Sequence, residues 1–147
     1  MARSVRQLTV ADVEKTAYQM AVGLGWKEPI PPVKTRYPGK LESALGAPFQ
    51  TFERKPIYRG VPAKAAALFY FLVKSHPFQN GNKRIALTSL FVYLSRNGYW
   101  LKISPDELYE VAVWVAGSPR TAQAEAVKFL RRIITKYRTR FEAIEWL

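Results

Sequence analysis

The chain has no cysteine, a single histidine, two aspartates and no apolar run long enough to cross a bilayer. The missing cysteines exclude disulfides and thiolate metal sites, and fit a reducing compartment. With no stretch of 18 or more apolar residues and no signal-like N-terminus, the expectation is a soluble, unexported, cytoplasmic protein with no membrane partner. Asp12 and Asp106 are the only aspartates, so no aspartate lies near the middle of the chain. There is no internal repeat and no low-complexity tract. Neither a helix-turn-helix signature nor a stacking-aromatic pattern is present, so the chain offers no obvious nucleic-acid reader.

Positive charge is what the chain has in excess. Lys and Arg number 23 against 11 Asp and Glu, a formal charge of +12 on 147 residues, which predicts attraction to something acidic. Nucleic acid, an acidic protein and a nucleotide all qualify, and charge alone does not choose among them. The length is that of one domain, 1–147, large enough to bury a core.

Helical signals dominate the order of the chain. Thr9 with Asp12 three residues on reads as a capping pair, followed by a face of Val13, Ala17, Met20, Ala21 and Leu24 that Gly23 and Gly25 end. Seven of the ten prolines lie between Lys27 and Pro62, which rules out one long helix there. Leu41–Leu45 is expected to form a helical turn and Thr51–Tyr58 short extended pieces. An Ala-rich helix follows Pro62 and runs to Ser75, and a second reaches about Arg96, where Asn97-Gly98 stops it.

Ser104-Pro105-Asp106-Glu107 has the N-cap serine, first-turn proline and acidic third position of a helix start, with Leu108, Val111, Ala112 and Val115 as its buried stripe. A last helix from near Thr121 is expected to bury Ala126, Phe129, Leu130, Ile133, Ile134 and Tyr137. Lys128, Arg131, Arg132, Lys136, Arg138 and Arg140 make this helix and its tail basic, as a solvated face or a binding surface. The final FEAIEWL adds apolar residues able to dock back.

Between the two central helices lies HPFQNGNKRIA, His76 to Ala86. Pro77 disfavours helix at His76, and Gly81 permits a tight reversal, so a short loop feeds a helix starting near Asn82. Unpaired N–H groups at that N-terminus attract phosphate, and Lys83 and Arg84 add cations, Arg84 with a fork for two phosphate oxygens. Without an anion, cations in a first helical turn oppose the dipole, and a histidine after a helix is commonly a plain surface residue. Chemistry and structure are both open on spacing alone.

His76, Phe78, Gly81, Asn82, Lys83 and Arg84 fit the pattern His-x-Phe-x-(Asp or Glu)-(Gly or Ala)-Asn-(Gly or Lys)-Arg, and on them the chain resembles the Fic/Doc family. LESALGAPF from Leu41, KAAALFYFLVKS before the motif and NGYWLKISPDELYEVAVWVAGS after it are similar to the Doc (death-on-curing) toxin branch. The resemblance implies an all-α fold, a compact helical bundle of about six helices, with a β-hairpin flap in the Pro-rich 27–61 segment as an optional addition.

It further implies His76 as general base, Arg84 as stabiliser of phosphate charge, and Gly81, Asn82, Lys83 and Arg84 as the binding set for ATP. Asn82 and the loop N–H groups would hold phosphate, and Phe78 would anchor the loop. Lys83 stands where AMP-transferring members have glycine, which goes with transfer of the γ-phosphate to a protein hydroxyl, elongation factor Tu being one such target. The departure is Asn80, at the position whose acid binds Mg²⁺ in the family. A neutral amide is a poor ligand for that ion, leaving it to Glu42, Glu53 or the nucleotide itself. The alternatives are AMP transfer, and a weakly active member that binds nucleotide or nucleic acid. No inhibitory Ser/Thr-x-x-x-Glu-Gly/Asn motif is evident, which implies a separate antitoxin as partner.

Overall fold

The computed structural model describes residues 6–23, 38–78 and 81–140. Helix α1 is built of Val10–Asp12, a π-helical stretch Val13–Ala17, and Tyr18–Gly23. Its start is the capping box expected from the sequence: the Asp12 N–H donates to the Thr9 hydroxyl at 3.1 Å, and the Thr9 N–H to the Asp12 carboxylate at 2.9 Å. That carboxylate also meets Arg96 at 2.6 Å, tying α1 to the end of a central helix. Burial pushes Asp12 up, but the Arg96 and Thr9 contacts outweigh it and hold the carboxyl below its usual range. Leu24, Gly25 and the 27–37 part of the proline-rich stretch lie outside the described residues.

Helix α2 spans Pro38–Gly46, longer than the single turn expected, and tightens into a 3-10 turn Ala47–Phe49. The extended pieces expected next form a hairpin, β1 Thr51–Phe52 and β2 Lys55–Pro56, in register Thr51↔Pro56 and Phe52↔Lys55. Its two tip residues, Glu53 and Arg54, both have positive φ, 50° and 67°, the backbone that matches strand twist in a two-residue turn. Buried Lys64 donates to the Tyr58 carbonyl and lies 5.7 Å from the Phe49 ring centre, which moors the hairpin to the next helix. Burial pushes the Lys64 ammonium down.

The core is the pair α3, Gly60–Ser75, and α4, Asn82–Arg96. Every residue from Ile85 to Leu94 is buried, more than two turns, so α4 is covered on all sides rather than on one face. Each large apolar side chain enclosed here contributes roughly 1.5–3 kcal/mol. Helix α5, Pro105–Gly117, packs on α3 and α4, starts from the Ser104 cap as expected (Glu107 N–H to the Ser104 hydroxyl, 3.1 Å) and buries Leu108, Ala112 and Val115. Helix α6, Gln123–Tyr137, follows a 3-10 turn Arg120–Ala122 and packs on α3.

Two features of this second half differ from expectation. Phe129 is 42% exposed and pairs with exposed Trp114 of α5, ring centres 5.0 Å apart, rather than entering the core. A second strand pair also forms, β3 Tyr99–Leu101 with β4 Arg138–Arg140. The antiparallel register sets Leu101 beside Arg138 and Tyr99 beside Arg140, so the segments leaving α4 and α6 satisfy each other's backbone groups. The described fold is thus a mostly helical bundle of six helices with two small antiparallel strand pairs. Among these residues no helix is long and apolar enough to cross a membrane.

Candidate active site

The site begins where α3 stops. His76 is the C-cap of that helix in the left-handed conformation, φ 47° and ψ 58°, a backbone that glycine adopts freely and other residues at a cost. It turns the chain out of the helix, and Pro77 and Phe78 then drop back into the core, Phe78 being 6% exposed. Gly81, at φ 72°, makes the second left-handed step and caps α4, its carbonyl accepting the Ile85 N–H at 2.9 Å.

Asn82 locks the loop. Its side-chain oxygen accepts the Phe78 N–H at 2.8 Å, and its side-chain nitrogen donates to the Phe78 carbonyl at 2.9 Å. The amide expected to hold phosphate is therefore engaged with the main chain. What Asn82 turns toward a ligand is its backbone N–H, one of the donors that a helix start leaves without intrahelical partners. Gly81, Asn82, Lys83 and Arg84, with Tyr109 from α5, line a cleft of about 120 Å³.

Tyr109 was not foreseen as part of the site. It lies in the second turn of α5, and the Arg84 guanidinium carbon is 5.5 Å from its ring centre, within the range of a cation–π attraction. Lys40 of α2 is the other newcomer. Partial burial first, and then the charges of Lys83, Lys40 and Lys74, push the His76 imidazole below its ordinary value of 6.5, although much of the residue is exposed. Lys74 is itself held by the Ala116 carbonyl at 3.3 Å and by the Ser118 carbonyl. A neutral imidazole among cations is a proton acceptor, not a donor.

The family model of the Fic/DOC family matches residues 7–94. The chain belongs to this family. The match takes in α1, the hairpin, α3, the loop and nearly all of α4, and ends before Tyr109. No curated protein matches the chain. Members of the family are transferases of AMP or phosphoryl groups.

The residues available do not fit a protein-held Mg²⁺. Asn80 lies outside the described residues, and its neutral side chain brings no charge. Glu42 instead borders a separate hollow with Gln7, Leu8, Thr9, Val10 and Leu45, and Glu53 sits at the hairpin tip. Among the described residues no three His, Cys, Asp or Glu side chains cluster.

Proposed function

We propose that this protein is a Doc-like toxin that moves the γ-phosphoryl group of ATP to a hydroxyl of a target protein, with elongation factor Tu the first target to test. The observation that carries the reading is the histidine itself: it is held in a strained backbone at the mouth of an anion-accepting helix start, with its protonated form disfavoured. His76 takes the hydroxyl proton. The freed oxygen forms a bond to the γ-phosphorus while the bond to the β–γ bridging oxygen breaks, and ADP leaves. The loop N–H groups, Lys83 and Arg84 hold the phosphate oxygens, whose charge spreads as the transfer proceeds. Tyr109 keeps the Arg84 fork in place. Lys83, in the position glycine takes in AMP-transferring relatives, supports γ-phosphoryl over AMP transfer, and a separate antitoxin would restrain the activity.

A second reading, nucleotide binding with little chemistry, is favoured by Asn80 and by the absence of an acidic cluster among the described residues. One assay separates the readings. The protein is incubated with cell lysate and ATP labelled at the α- or the γ-phosphate. Protein label from γ alone is the expected result. Label from α would replace the kinase reading with AMP transfer, and no protein label from either would establish the binding-only reading.

A further inference from the structure

Two hollows along the outer side of α6 run into one another. The first, about 720 Å³, lies between the hairpin exit, the start of α3 and the first half of α6, with a floor of Ile57, Ala63, Ala124 and Val127. The second, about 600 Å³, continues along α6 to Lys136. Lys128 and Arg131 line both, so the two form one groove. Its length follows α6 from near Thr121 to Lys136, roughly 22 Å at 1.5 Å per residue, or about four helical turns.

The first hollow is apolar in its lining with a cationic edge, and the second is lined by Thr135 and cationic side chains. Ile57, part of that apolar lining, is 50% exposed. Arg59 stands at one side, and Lys128, Arg131, Arg132 and Lys136, all exposed, run along the other. Glu125 is the one acid in α6. None of these residues belongs to the loop from His76 to Arg84 or touches the cleft under Tyr109.

We propose that this groove docks an amphipathic helix of a partner chain, with apolar anchors on one face and acidic residues flanking them. Anchors at i, i+4 and i+7 meet the apolar lining of the first hollow, and carboxylates beside them and along the rest of the helix meet the cations. A nucleic-acid backbone would use the same cations but would lay phosphate over an apolar floor, desolvating charge with no compensation. The floor therefore selects a peptide, and the edge selects an acidic one. The inference stands whether or not the transfer reaction is as proposed.

The test uses the full-length protein and a fluorescein-labelled helical peptide of about 16 residues, with leucines at those anchor positions and glutamates beside them. An otherwise identical peptide carries lysines for glutamates, and a short single-stranded oligonucleotide serves as competitor. The acidic peptide should bind about tenfold or more tightly than the lysine peptide at low salt, and the advantage should shrink at high salt. Ala124→Arg, which places a long side chain in the floor from an exposed position, should abolish binding. Arg131→Glu should weaken the acidic peptide about tenfold and improve the lysine peptide, while His76→Ala should change neither.

Equal binding of the two peptides, or indifference to Ala124→Arg in a variant with an unchanged melting curve, would overturn the proposal. So would an oligonucleotide that displaces the peptide and binds with the same dependence on Arg131, since the surface would then be a nucleic-acid site.

Discussion

Replacing His76 with glycine should make the protein more stable and inactive at once. His76 holds φ 47° and ψ 58° at the end of α3, where an L-residue pays roughly 1–2 kcal/mol because its Cβ crowds the following carbonyl. Glycine escapes that cost but gives up roughly 0.5–1 kcal/mol through the greater freedom of the unfolded chain. The difference leaves a net gain of about 0.5–1 kcal/mol. For a chain of this length such a gain raises the melting temperature by roughly 2–3 °C.

His76→Ala is the proper reference, because it removes the imidazole and keeps the Cβ. Both variants should lose the labelling activity, by about 10²- to 10⁴-fold if a general base is removed, but only the glycine variant should gain stability. Thermal melts, together with urea titrations at constant m-value, give the comparison. A glycine variant that melts at or below the alanine variant would refute the reasoning, since residue 76 would then not be held in a strained backbone. The expected pattern has a mechanistic meaning: glycine suits this turn better, and the histidine's presence there is a stability cost that the imidazole's chemistry explains.

Two further outcomes follow from the same loop. Asn82→Leu removes both side-chain bonds to Phe78 and leaves a buried N–H and carbonyl without them, so urea denaturation should show a loss of about 2–4 kcal/mol; a loss below about 1 kcal/mol would mean that the loop holds its shape without this clasp. The acid limb of the rate-against-pH profile should lie below 6.5, the ordinary histidine value, and Lys83→Met should move it upward toward that value while burial keeps it from arriving; a limb that stays put would show that the Lys83 charge is not felt at the base. The sign for stability is the same. The unfolded histidine binds its proton more tightly than the folded one, so the stability gained by keeping His76 neutral is present above 6.5 and is lost as pH falls through the lower folded value.

Local rules made much of this fold legible in the sequence. The Thr9–Asp12 box, the Ser104 cap and the stop at Asn97-Gly98 each depend on a few neighbouring residues, and each stands where those residues place it. Contacts between distant segments were hidden. Nothing in the sequence near Arg138–Arg140 announces a strand, because it becomes one only by lying beside Tyr99–Leu101, a segment distant in the chain. Phe129 satisfies the helical period of a core residue, yet the period cannot tell that α5 offers it an exposed Trp114 instead of an enclosed pocket. Tyr109 and Lys40 join the site from α5 and α2, and neither carries a local signal that would have tied it to His76.

Asn82 shows the opposite difficulty, in which a residue singled out by the motif has a side chain that does another job. The amide shapes the loop, so the anion is left to main-chain N–H groups and to Lys83 and Arg84. This division also explains how so much positive charge can surround one imidazole. Lys40, Lys74 and Lys83 all disfavour its proton, and the start of α4 adds the positive end of a dipole. A polyphosphate bound at that helix start, as proposed above, would neutralise the same charges and so would raise the proton affinity of His76 as it binds. By linkage the two events favour each other. In the proposed reaction the base would be weakest in the empty site and would gain strength when the anion arrives, which would couple proton abstraction from a hydroxyl to the presence of the group that the hydroxyl is to receive.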